Sequence, residues 1–114
     1  MALTEVLGSN RLLWPGDEVT AQDGRRHLCY QGDGNLVIYD EHWQPLWHTG
    51  TNGTRAGVVA MQSDGNLVMY DPDGTPIWDS GTNAFPGAFL AVQNDGNVVI
   101  YTPDGVPVWA TNTF

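Results

Sequence analysis

The chain has 114 residues, a length that suits one domain, and it holds 14 Gly, 7 Pro and five Trp. Thirteen acidic residues against four Lys and Arg give a formal charge of −9, which repels phosphate backbones and anionic headgroups and excludes nucleic acid and membrane insertion as natural roles. With few charges, many turn formers and no long stretch of helical periodicity, the chain reads as all-β, built from short strands and tight turns.

In chain order, Met1-Ala-Leu-Thr-Glu5 lacks a basic start followed by an apolar run, so no signal peptide is visible. No stretch approaches the roughly 18 apolar residues of a membrane span. A soluble protein, cytoplasmic or secreted, is expected. The segment Asn10–Gln22 reads as a degenerate extra piece that supplies the strands the short carboxyl end lacks. Cys29 is the only cysteine, so no intramolecular disulfide is possible. It lies in the strand-like run Leu28-Cys29-Tyr30 and reads as a small packing residue. His27 is expected to face the other way and not to activate the thiol.

From Gln31 onward the chain repeats. Gln31-Gly-Asp33-Gly-Asn35-Leu-Val37-Ile-Tyr39 returns as Gln62-Ser-Asp64-Gly-Asn66-Leu-Val68-Met-Tyr70 and as Gln93-Asn-Asp95-Gly-Asn97-Val-Val99-Ile-Tyr101, a step of 31 residues both times. Trp47, Trp78 and Trp109 keep that step, each two residues after a proline, and 12 of 21 positions are identical between Gln62–Thr82 and Gln93–Thr113. Repeats of this period signal stacked or radially arranged units. They divide the chain into approximate units 22–52, 53–83 and 84–114 within one domain, 1–114.

Each unit reads as three strands. A run such as Val58-Val59-Ala60-Met61 leads into Asp-Gly, a hairpin signal. The second strand is Asn-x-Val-x-Tyr. Pro72-Asp73-Gly74 and Pro103-Asp104-Gly105 turn into the third, where the first copy has Glu41-His42-Trp43. Pro in the third run suggests a strand start or an edge. Alternation assigns Leu36 and Ile38 and their equivalents to the core, and Asn35, Val37 and Tyr39 to the opposite face. A three-residue loop, Gly32-Asp33-Gly34 with Gly34 left-handed, puts Gln31 opposite Asn35 on that face; a two-residue loop puts Gln31 on the core face. Three such units suggest three sheets about a pseudo-threefold axis, with one Trp from each filling the centre.

The repeated polar set has the chemistry of a sugar site. Gln, Asp, Asn and Tyr donate to and accept from hydroxyls, Val offers an apolar patch to a pyranose C–H face, and a carboxylate–hydroxyl contact is charge-assisted. Turn and strand preference alone would explain Asp-Gly-Asn in one copy. It does not explain Gln two residues before Asp, or Tyr six after, in three.

Gln-x-Asp-x-Asn-x-Val-x-Tyr over residues 10–114 resembles the monocot mannose-binding lectin family, also called bulb-type or snowdrop-type lectins. The resemblance implies an all-β fold, a β-prism II of three four-stranded antiparallel sheets, and a carbohydrate-binding lectin for α-D-mannose and high-mannose glycans or glycoproteins, with no enzymatic activity. It implies that Gln31, Asp33, Asn35 and Tyr39 bond mannose hydroxyls while Val37 touches the ring. Gln62, Asp64, Asn66, Val68 and Tyr70 repeat this, as do Gln93, Asp95, Asn97, Val99 and Tyr101. No metal and no cofactor are implied. The family also suggests a homodimer by exchange of carboxyl-terminal strands, since the chain stops five residues after Trp109. One departure is the missing second cysteine that the usual intrachain disulfide of plant members would need. Trp43, where the other copies have Gly74 and Gly105, is a second.

Other classes fit less well. No Ser, Cys or His arrangement recurs, and the Asp33-type residues lie on separate units, so they form no carboxylate pair. Asp71-Pro-Asp73-Gly74 lacks the alternating ligands of a calcium loop. The alternative is a protein-interaction module on the same prism without sugar binding.

Overall fold

The computed structural model describes residues 2–114, with side chains from residue 5 onward. Among the described residues every regular element is a strand. The repeats supply β5 (His27–Tyr30), β6 (Leu36–Tyr39) and β7 (Pro45–His48), then β8 (Val58–Met61), β9 (Leu67–Tyr70) and β10 (Pro76–Asp79), then β11 (Phe89–Val92), β12 (Val98–Tyr101) and β13 (Pro107–Ala110). Each triplet is an antiparallel meander.

The fourth strand of each sheet comes from the amino-terminal part of the chain. β2 (Val6–Leu7) pairs with β11, β3 (Arg11–Leu13) with β8 and β4 (Glu18–Thr20) with β5, all antiparallel. The expectation that Asn10–Gln22 supplies what the carboxyl end lacks is corrected: its β3 and β4 complete the second and first sheets, and the sheet of the carboxyl-terminal unit is completed by β2, which precedes that segment. The result is three four-stranded antiparallel sheets, as expected, with one addition. β1 (Ala2–Thr4) runs parallel to β4, so the first sheet has five strands.

Alternation along β5, β6 and their equivalents packs the core. Leu28, Tyr30, Leu36, Ile38, Val59, Met61, Leu67, Met69, Leu90, Val92, Val98 and Ile100 are buried in one cluster, together with Leu7, Leu13 and Val19 from the amino-terminal strands. The Tyr30 ring brings a hydroxyl inside, where it accepts the Gly57 N–H at 2.9 Å. A buried phenol needs such a partner.

Simple alternation fails in the third strand. Tyr39 pairs with Pro45 and Ile38 with Trp47, so one residue, Leu46, is bulged out. The same shift occurs between Pro76 and Trp78 and at the Ile100–Tyr101 step opposite Pro107 and Trp109. A one-residue slip reverses every face beyond it. The bulge therefore turns each Trp inward, beside Ile38, Met69 and Ile100. The three indoles meet edge to face, with centroids 6.0, 5.5 and 5.9 Å apart. One from each unit, they converge at the centre of the three sheets as expected, though each is only partly buried and packs against a larger aliphatic core.

A second expectation is also corrected. His27 and Cys29 lie on the same outer face, opposite Tyr39 and Val37, since residues two apart in a strand share a face. The thiol is still not activated. Burial first, and then the Glu18 carboxylate that accepts its S–H at 3.4 Å, push Cys29 up to about 12.

Replacing Trp78 by Ala removes two edge-to-face contacts and opens one end of the core. A cost of about 3 kcal/mol is expected, the low end for an aromatic because the ring is only partly buried. A fall in the thermal midpoint of roughly 10–20 °C, seen by circular dichroism, checks it.

Candidate functional site

The motif residues converge because of the loop between the first two strands of each unit. Gln31 N–H donates to Asn35 O at 2.9 Å, and Gly34 N–H to Gln31 O at 3.0 Å. This is the three-residue loop, with Gly34 at φ 91°. Gly65 and Gly96 repeat it at 94° and 95°. A Cβ there would be strained, and at Gly65 it would also collide with the backbone oxygen of Phe85. Gln31 thus lies opposite Asn35, and Gln, Asn, Val and Tyr share the outer face.

The bonding repeats with the sequence. In each unit the Gln amide is hydrogen-bonded to the Tyr hydroxyl: Gln31 with Tyr39, Gln62 with Tyr70, Gln93 with Tyr101. With its amide oxygen toward Tyr39, Gln31 also donates to both Asp33 oxygens, at 3.2 and 3.3 Å. The Asp carboxylate closes an Asx turn in every copy. Asn35, Asn66 and Asn97 each donate their backbone N–H to Asp33, Asp64 or Asp95 Oδ1 at 2.9 Å. Val37, Val68 and Val99 are 3–5% exposed and form a small apolar floor between these groups.

A second ring of residues, not singled out from the sequence, orients the Asn. Thr49 Oγ1 and Thr51 N–H both donate to Asn35 Oδ1 at 3.2 Å, and Thr51 Oγ1 donates to Gly34 O at 2.6 Å. Ser80 and Thr82 do the same for Asn66 and Gly65, and Thr111 and Thr113 for Asn97 and Gly96. The signal was present: Thr49-x-Thr51, Ser80-x-Thr82 and Thr111-x-Thr113 also recur at steps of 31. With its oxygen saturated by protein donors, each Asn must turn its amide nitrogen outward.

In the first unit these groups line an open depression of about 340 Å³, formed by Gln31, Asp33, Asn35, Val37, Tyr39, Pro45, His48 and Asn52. His48 was also missed as a lining residue. It faces outward beside Val37, its Nδ1 accepts from Gly50 N–H at 3.1 Å, and it lies 3.2 Å from Asn35 Nδ2. The other units place Asp79 and Ala110 there. The backbone of the three sites is alike and one wall differs. Such a site offers several hydrogen-bonding groups around an apolar patch and no nucleophile–base pair.

No protein-family model matches the chain. A curated relative, a B-type lectin named plumieribetin from Scorpaena plumieri, is 39% identical over 56 residues, which is 49% of this chain. That match spans about half, 48%, of plumieribetin. Solved structures match along nearly the whole chain. A Japanese Marasmius oreades lectin is 34% identical with a TM-score of 0.89, covering 99% of this chain and 97% of that one. A monomeric monocot mannose-binding lectin from Gastrodia elata is 36% identical with a TM-score of 0.88, covering 96% and 97%. The mannose-specific agglutinin of snowdrop, Galanthus nivalis, solved with methyl α-D-mannoside, is 40% identical with a TM-score of 0.79 at the same coverages. These are lectins, which hold sugars without converting them. Alike in fold and 34–40% identical to these lectins along nearly its full length, the chain belongs to the monocot mannose-binding, bulb-type lectin family.

Proposed function

We propose that this protein is a lectin for α-linked mannose and high-mannose glycans, with one site on the outer face of each sheet. The observation that carries this reading is the threefold recurrence of one hydrogen-bonded set, Gln–Tyr and Asp–Asn around a Val, on an open face. In each site the Asp carboxylate accepts from sugar hydroxyls, the Asn amide nitrogen donates, and the Tyr oxygen serves either role. The Val methyls take a C–H face of the ring. Prior bonding of Gln to Tyr and of Asn to the Thr or Ser pair fixes these groups before a ligand arrives, which lowers the ordering cost of a shallow site. The snowdrop agglutinin, solved with a mannoside, supports the choice of sugar.

A single shallow site should hold a monosaccharide at about millimolar strength, near 4 kcal/mol. A branched glycan that reaches two sites gains by effective concentration. Calorimetry with methyl α-mannoside is expected to show weak exothermic binding that EDTA leaves unchanged, because side chains and one apolar patch supply every contact. Heat with glucose or galactose equal to that with mannose would reject the sugar assignment.

The sites should act separately. Asp64→Ala removes the charge-assisted contact and the Asx turn of the second site alone. The mannose stoichiometry is expected to drop by one site while circular dichroism stays that of the intact fold.

The sequence suggested a dimer made by exchanging carboxyl-terminal strands. We infer a monomer instead. β13 pairs with β12 of its own chain, and each sheet has at least four strands drawn from one chain, so no sheet needs a borrowed strand to be complete. The Gastrodia elata lectin, described as monomeric, is alike in overall fold along nearly the whole chain, which supports this reading. Light scattering should give one chain mass of 12.4 kDa; twice that mass would restore the exchanged dimer.

A further inference from the structure

The turn between the second and third strands is the same in all three units. Asp40 N–H donates to Gln44 O and Trp43 N–H to Asp40 O, both at 3.0 Å. Asp71, Gly74 and Thr75 make the same two bonds, as do Thr102, Gly105 and Val106. Asp40 Oδ1 also accepts from His42 and Gln44 N–H at 2.8 and 2.9 Å, which fixes the turn. The residue next to last must then be left-handed. Gly74 and Gly105 adopt φ 81° and 86°, whereas the first unit forces Trp43 to 59°. A bulky side chain at positive φ is strained, and such strain collects where function demands it.

What that conformation achieves is placement. One face of the indole rests on the His27 imidazole, with centroids 4.3 Å apart and planes 18° from parallel. His27 is itself held on the outer face opposite Tyr39. The Trp43 ring lies 5.8 Å from the Tyr39 ring, and Tyr39 lines the first depression. Trp43 is nonetheless 55% exposed, so the face away from His27 is open to solvent. An ordered indole with one free face therefore continues the wall of the first site, one ring beyond Tyr39. The second and third sites have only glycine there.

We propose that Trp43 is a stacking platform for a second pyranose, the sugar joined to the mannose held by Gln31, Asp33, Asn35, Val37 and Tyr39. This rests on the mannose reading above. A pyranose presents an apolar C–H face that an open indole covers well. The first site thereby reads a disaccharide, and the other two read one residue each. The platform acts on ligand length and leaves the monosaccharide contacts alone.

The test uses the chain carrying Asp64→Ala and Asp95→Ala, which keeps the first site as the intact motif. Calorimetry with methyl α-mannoside and with an α-linked mannobiose gives the ratio of the two affinities. Trp43→Gly installs the residue that the sister turns already hold in this conformation. It is expected to leave the monosaccharide constant within about twofold and to weaken the disaccharide roughly five- to tenfold. Trp43→Phe should recover much of the ratio. Mannobiose should also shift the tryptophan emission of the Trp43 chain more than that of Trp43→Gly. A ratio unchanged by Trp43→Gly overturns the platform and leaves the mannose reading standing. An absence of heat with either mannoside in the unsubstituted protein overturns both.

Discussion

The shared outer face of Gln, Asn, Val and Tyr in each unit depends on one backbone torsion, the positive φ of Gly34, Gly65 and Gly96. It makes the first hairpin loop three residues long. A loop one residue shorter would slip the register and carry Gln31, Gln62 and Gln93 into the core, where their amides would lack partners. The torsion is held from behind. The Thr51, Thr82 and Thr113 hydroxyls donate to the carbonyl oxygens of these same glycines at 2.5–2.6 Å. The same threonines offer their N–H groups to the site Asn oxygens. Loop conformation and side-chain orientation are therefore parts of one hydrogen-bonded unit, repeated three times.

Much of this was legible in the sequence because it rests on short-range rules. The 31-residue step, the Asp-Gly hairpins and the alternation of Leu36, Val37, Ile38 and Tyr39 all translate directly into strands and faces. Two loop lengths stayed open, since Gly32-Asp33-Gly34 suits either, and packing of Thr51 and Thr54 against Gly34 decides between them. The bulges at Leu46 and its equivalents were not legible. Nothing in Pro-Leu-Trp marks an extra residue, and the face of Trp47 follows only from its pairing with Ile38. The Thr and Ser ring shared the repeat step, but small hydroxyl residues near a strand end read as ordinary turn chemistry until their distances to Asn35 are known.

The three sites combine sameness and difference in a way that follows from where each property is encoded. Hydrogen bonds of the loop and the Asn are set by backbone geometry, so they are identical within a few tenths of an ångström. The wall beside each Val is set by one outward residue of the third strand, and here His48, Asp79 and Ala110 differ. Such a position can change without disturbing the core, because the bulge has already committed the neighbouring Trp to the interior. Variation at the rim is thus structurally cheap, and the turn bearing Trp43 belongs to the same rim.

The stretch Val6–Thr20 lends one strand to each of the three sheets in turn, and this bears on how the chain acquires its structure. In a linear repeat array each unit stabilises mainly its neighbours, and order can spread from any point. Here β2 must find β11, more than 80 residues onward, before the third sheet is complete. Such pairings carry loop-closure entropy that must be met before they yield any stabilisation, which places the fold among slow, high-contact-order topologies. The repeats are alike in sequence, yet they mature together. The amino-terminal strap acts as a clasp, so the protein should melt in one cooperative step rather than unit by unit.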